Sequence, residues 1–199
     1  DLLHCLKRIS RPWTASVIFR VNFLKMKTIK LTQGQFTKVD DEDFEILNKF
    51  KWYARKRVKR NGDIYYYAER RDNILNKIIR VHSSLMNCIL LEKSILHKGK
   101  RLIVDHINQD PLDNQKHNLR VATYQQNSGN TRKASNKGSK FKGVHFRKDR
   151  NRWLAEIRFN YHLYRLGHYK LEEEAAKAYD SAAIKYFGEF ACTNKKLNL

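Results

Sequence analysis

Proline is nearly missing from this sequence, with 2 among 199 residues, and glycine is sparse at 8. That excludes a collagen-like repeat, a low-complexity linker and a Gly-rich phosphate loop. Cysteine is scarce too. Cys5, Cys88 and Cys192 lie far apart, so neither a disulfide framework nor a Cys-pair zinc ribbon can be read, and they fit reduced thiols of a cytosolic chain. The longest uncharged runs, Val81 to Leu91 and Val121 to Thr131, have 11 residues each. A membrane-spanning helix needs about 20, which excludes an integral membrane protein. Acidic residues are outnumbered, 20 Asp and Glu against 41 Lys and Arg, for a net charge of +21. This surplus, about one charge per ten residues, exceeds what solubility requires and points to a polyanionic partner, nucleic acid being the commonest. Hydrophobic residues make up 41% and aromatics 12%, enough to build cores in one ordinary domain or two small ones.

Five segments can be told apart. Residues 1–25 carry a short apolar patch, Val17-Ile18-Phe19, broken by Arg20, which is too short for the centre of a secretory signal. Met26-Lys27-Thr28-Ile29-Lys30 reads like a natural start, so 1–25 is expected to be upstream or poorly ordered sequence. Residues 26–98 alternate and are β-rich. Within them Asp40 to Asp43 precede Phe44, Ile46 and Leu47, acids at the positive end of a short helix. Asn61-Gly62 between Trp52–Val58 and Ile64–Arg70 signals a hairpin. Its interleaved Lys, Arg and Tyr suit either a nucleic-acid face or an ordinary basic hairpin. Residues 99–130 follow, rich in Asn, Asp and His. Then comes a basic linker over 131–140 and a compact unit over 141–194.

The middle segment holds the chemistry. Leu102 to Asp105 reads as a strand ending at Asp105-His106, and Leu119 to Ala122 as a second strand. Thr123 with Gln126 forms a capping box that starts a helix at Tyr124. Asn127 then sits in the first turns of that helix. A carboxylate from Asp105 and an amide oxygen from Asn127 are hard ligands, suited to Mg2+ or Mn2+ rather than zinc. His106 beside them has an ordinary pKa of about 6.5, right for taking a proton from water at neutral pH. His82, upstream, is read as structural.

The spacing from Asp105-His106 through Asn118-Leu119-Arg120 to Asn127 resembles the H-N-H homing-type endonucleases of the ββα-metal fold, known from phages and bacteria. The resemblance runs from about Arg101 to Asn130. It implies that His106 is the general base, that Asp105 and Asn127 hold a divalent metal, and that Asn118 braces the loop between the strands. Asn127 stands where many members have His, which implies a weaker metal grip.

From Phe141 the pattern is regular. Trp153, Ala155, Ile157 and Phe159 fall on one face of a strand, and Arg152, Leu154, Glu156 and Arg158 on the other. Gly143 to Arg147 and Leu163 to Tyr169 read as flanking strands. Leu171 to Phe187 is a helix whose stripe of Leu171, Ala175, Ala178, Tyr179, Ala182 and Tyr186 lies close on the sheet. Gly143-Val144, Trp153, Ala155-Glu156-Ile157-Arg158, Leu166-Gly167, Glu174-Ala175-Ala176 and Ala178-Tyr179-Asp180 resemble the plant ethylene-response-factor (Apetala-type, AP2/ERF) DNA-binding domain. By that resemblance His145, Arg147, Arg152, Glu156, Arg158 and Arg165 face DNA, and Tyr179 reaches a phosphate. His145 replaces a usual arginine, while Asp149 and Arg165 replace usual tryptophans, so the target sequence differs from those of plants.

The fold expected is α+β: a ββα-metal nuclease module plus a small three-stranded antiparallel sheet packed on one helix. The expected function is site-directed hydrolysis of double-stranded DNA by a cytoplasmic protein in a bacterial or phage-infected cell. It is read as a monomer rather than a dimer, with the linker setting how far the cut lies from the site read. The rival reading is a sequence-specific DNA-binding transcriptional regulator whose nuclease module is inert.

Overall fold

The structure is a computed structural model that describes residues 26–59, 62–96, 101–131 and 138–199, with the backbone alone at 88 and 91–96. The expectations for 1–25 and for most of the linker therefore lie outside the described residues. The fold is α+β, as the patterning implies. It consists of small antiparallel sheets, each with a helix laid on it or following it. None of the described helices is long and apolar enough to cross a membrane.

Strands β1 (Met26–Lys30) and β2 (Phe36–Asp40) form a hairpin in the register Met26↔Asp40. Helix α1 (Asp41–Leu47) follows, with Asp41, Glu42 and Asp43 in its first turn. There the carboxylates oppose the helix's positive end. A meander of β3 (Tyr53–Val58), β4 (Ile64–Asp72) and β5 (Lys77–Arg80) comes next. Lys59 N donates to Asp63 O at 2.8 Å between β3 and β4, while Asn61 of the expected Asn-Gly lies outside the described residues. Helix α2 (Val81–Leu96) leaves the end of β5. Ile29, Leu31, Val39, Leu47, Trp52, Ala54, Ala68 and Val81 make one core among these elements.

The hairpin β1–β2 does more than close that core. Backbone bonds run from Lys38 N to Leu112 O at 2.8 Å and from Asn114 N to Lys38 O at 2.9 Å. The loop around Asp113 is thereby added to β2 like a short parallel strand.

β6 (Leu102–His106) and β7 (Leu119–Thr123) pair antiparallel with His106 opposite Leu119, and α3 (Tyr124–Gly129) follows at once. The capping box at Thr123 and Gln126 is formed in both directions. This is the ββα unit that the spacing predicts. The third unit is β8 (Val144–Arg147), β9 (Arg152–Phe159) and β10 (His162–Tyr169), with β9 central and α4 (Glu172–Phe187) packed across one face.

Two details of this unit differ from expectation. Leu171 lies just before the helix and is exposed, whereas Ala176, Ala183 and Phe187 join the buried stripe. Leu154, expected on the open face, is buried. Its cross-strand neighbours are His145 on one side and His168 on the other, long side chains able to close over a leucine between them. Gly143 takes a φ of +72°, and a Cβ there would lie 2.0 Å from Tyr179 Cδ2. Only glycine lets the strand lie this close to the helix.

The third unit packs directly on the ββα unit. Ala122 of β7 shares a core with Ile157, Tyr179, Ala182, Phe187, Phe190 and Ala191. Cys192 N donates to Gly129 O at 3.2 Å, and Lys142 Nζ to the same oxygen at 3.0 Å. The last expected linker residues are also folded, with Ser139 buried beside the buried Phe141. The joint between the units is thus a packed interface as well as a connecting segment.

Candidate active site and DNA-reading face

Asp105 and His106 close β6, and both are buried. His106 Nε2 lies 3.1 Å from Asn114 Oδ1. The orientation of Asn114 is fixed by its other end, where Nδ2 donates to Thr37 Oγ1 at 2.7 Å and to the Pro111 carbonyl at 3.3 Å. A carbonyl accepts only, so the amide nitrogen must face it and the amide oxygen must face the histidine. Neutral His106 therefore carries its hydrogen on Nε2, and Nδ1 is the basic nitrogen. Burial lowers the His106 pKa, opposed by the bond to Asn114 and by the charges of Asp105, Asp110 and Asp113. The ring is thus neutral at pH 7.

His82, from the start of α2, meets the His106 ring edge-on at 5.0 Å between centroids. Tyr67 meets His82 from the other side at 5.8 Å. Burial first, then the charges of His106 and Arg80, push His82 down to about 3. Its neutral ring walls one side of His106, which agrees with a structural role.

Asn118 is buried and ties the loop together. It donates to Asn108 Oδ1 at 2.9 Å and to Asp113 O at 2.8 Å, and accepts from Asn108 N at 2.9 Å. These are the bonds a loop brace would make.

Asp105 has two holders that sequence reasoning missed. Arg120 stands directly opposite in the β6–β7 register, with Nε at 2.9 Å and Nη2 at 2.8 Å from Oδ2. Asn130 Nδ2 lies 3.1 Å from both carboxylate oxygens and 2.9 Å from His106 O. Opposite charges facing each other across a predicted hairpin would have flagged Arg120. Asn130 follows Asn127 by three positions, the helical spacing of one face. The carboxylate is thus unevenly used: Oδ2 takes Arg120 and Asn130, while Oδ1 takes Asn130 alone. No described residue hydrogen-bonds the half-buried Asn127 side chain. One carboxylate oxygen with spare capacity and one uncommitted amide fit a hard divalent cation with few protein ligands. Among the described residues, no group of three His, Cys, Asp or Glu side chains forms a richer metal cluster.

On the third unit His145, Arg147, Arg158 and Arg165 are exposed, and Arg152 and Glu156 are half-buried. His145 Nε2 lies 3.2 Å from Glu156 Oε1. Arg147 binds Asp149 through Nε at 3.0 Å and Nη2 at 3.2 Å. Arg158 and Arg165 have no ion-pair partner among the described residues, so their guanidinium groups are open. Tyr179, expected at a phosphate, is 4% exposed, because its place on the Ala175–Ala182 stripe turns the ring inward against Gly143. It lines one pocket with His145, Glu156 and Arg158.

The geometry defines a ββα nuclease unit joined to a sheet-type DNA-binding unit, and comparison with known proteins gives the family. Residues 96–128 match the HNH endonuclease family and residues 139–189 the AP2 domain family. A protein of Acanthamoeba polyphaga mimivirus, described as an uncharacterized HNH endonuclease, is 34% identical over 163 residues, spanning 82% of this chain and 76% of that protein. The chain belongs to the HNH endonucleases, and it carries a C-terminal AP2 domain. DNA is its partner.

Proposed function

We propose that this chain is a site-directed DNA endonuclease in which the ββα unit hydrolyses a phosphodiester bond and the AP2 unit selects where. The observation that carries this reading is the His106–Asn114 pair: a buried, neutral histidine with its hydrogen pinned on Nε2 has Nδ1 free to take a proton from water. His106 is the general base. Asn118 and Asn114 keep it oriented, and His82, backed by Tyr67, covers its ring. Asp105 and Asn127 are the residues that would hold a divalent cation, Mg2+ or Mn2+. When bound, that ion supplies charge neutralisation at the phosphate and its leaving oxygen. His145, Arg147, Arg152, Glu156, Arg158 and Arg165 form the reading face, where arginine suits guanine and glutamate suits cytosine.

A supercoiled-plasmid assay with Mg2+ or Mn2+ against EDTA, on wild type and His106→Ala, tests this. The expected result is metal-dependent conversion to open circle or linear, lost in the variant, with DNA affinity kept within a few-fold. One observation favours the second reading, a DNA-binding regulator with an inert nuclease unit: both oxygens of Asp105 are engaged by protein donors. Specific DNA binding without cutting in either metal would decide for the regulator.

A further inference from the structure

We propose that the AP2 unit is a working part of the nuclease site. Of the two side chains that hold Asp105, Arg120 is held directly by the turn after α4 and Asn130 through Gln109, so that seating of the AP2 unit positions the Asp105 carboxylate. The proposal rests on the nuclease reading above and deepens it.

Two separate routes lead from the turn to the carboxylate. In the first, Arg120 donates from Nε to Asp105 Oδ2 at 2.9 Å, with Nη2 in ion-pair range of the same oxygen, and donates from Nη1 to Glu189 O at 2.8 Å. The same group lies over the Phe190 ring at 3.9 Å. Phe190 is buried in the shared core beside Ala122, so it cannot move without disturbing β7. Arginine is suited to this task, since a planar fork can bond along two edges while its face stacks on an aromatic ring. In the second route, Asn130 holds Asp105 with Nδ2 and accepts at Oδ1 from Gln109 Nε2 at 3.2 Å. That Gln109 nitrogen is also 3.2 Å from Cys192 Sγ. Gln109 has a left-handed φ of +66°, a conformation that costs energy in a residue other than glycine. Its strained backbone places the amide between Asn130 and the AP2 unit.

Glu189, Phe190 and Cys192 lie after α4, and none of them belongs to β8, β9 or β10, the strands that carry the reading face. Arg120 and Phe190 are accordingly positioning residues, and their effect on turnover is separable from DNA affinity. A reader that only tethered the nuclease would raise local DNA concentration and leave the rate on saturating DNA untouched.

The test uses the full chain with Phe190→Leu, which keeps apolar bulk and removes the ring, and Arg120→Lys, which keeps the charge and removes the fork. Three quantities are measured well below each variant's melting temperature: single-turnover cleavage on saturating DNA, DNA affinity in EDTA, and Mn2+ affinity without DNA by electron paramagnetic resonance. The expected result is a loss of about 10- to 100-fold in saturated rate, the usual effect of removing a residue that orients a ligand. Mn2+ affinity should shift in both variants, while DNA affinity stays within about threefold of wild type. A wild-type rate and wild-type Mn2+ affinity in both variants would overturn the proposal. If wild type binds DNA and cuts nothing, the nuclease reading fails, and Mn2+ affinity alone decides the link. A shift in both variants then supports it, and no shift or no Mn2+ binding at all overturns it.

Discussion

Asn114 accepts from His106 with its carbonyl and donates to Thr37 with its amide, joining a residue of the N-terminal hairpin to the nuclease histidine. Asn114→Leu should therefore weaken the protein and the chemistry together. Leaving buried polar partners unpaired costs about 1–3 kcal/mol, measurable by urea unfolding. Freeing the ring to change tautomer should lower the cleavage rate by about tenfold or more, or at least 1.4 kcal/mol of barrier. Thr37→Val should move both quantities the same way by less. An unchanged rate in Asn114→Leu would show that something else sets the tautomer.

His82 makes stability depend on pH. Its folded pKa lies near 3, against an ordinary 6.5. Below pH 6.5 the unfolded chain takes up a proton that the folded chain refuses, so stability falls as the pH drops from about 6.5 toward 3. Each unit of difference corresponds to about 1.4 kcal/mol, so the loss amounts to several kcal/mol. Thermal melts across this range should show the decline, and His82→Phe should flatten it. A parallel decline in the variant would assign the pH dependence to other groups.

Gly143→Ala should be among the more damaging single-methyl changes in the chain. Its φ of +72° and the 2.0 Å approach to Tyr179 Cδ2 combine backbone strain with overpacking, each worth about 1–3 kcal/mol. A drop in melting temperature is the expected readout. If the melting temperature holds, α4 must be able to lift from the sheet at little cost.

Arg158 is exposed and lacks an ion-pair partner among the described residues. Arg158→Ala should weaken binding to the preferred DNA by about 1–3 kcal/mol, the range for one good base contact. Titrations against specific and random duplexes separate the possibilities. Equal losses on both would make Arg158 a phosphate contact instead.

Much of this was legible in the sequence because it depends on local pattern. Thr123 and Gln126 announced the helix by capping chemistry, and the alternation around Trp153 announced the strand. The Asp105-His106 pair stands out at the end of a predicted strand, and Asn118 only through the resemblance to the H-N-H endonucleases. Residues that escaped notice act across distance or by exact register. Arg120 becomes a partner of Asp105 only when β6 and β7 pair as they do, and Thr37 reaches Asn114 only once β2 has taken up the loop. Leu154 is buried for a related reason: a period-two pattern shows which residues share a face but says little about how far neighbouring side chains cover it.

On the site-directed reading proposed above, the shared core between Ala122 and Phe190 makes the protein a ruler. Were the two units joined by a free tether, the cut would scatter over several base pairs around the bound sequence, and lengthening the tether would widen the scatter. With the units packed face to face, the offset between the bases read and the bond broken becomes a property of the interface. Residues inserted into the connecting segment would bulge outward and leave that offset where it was.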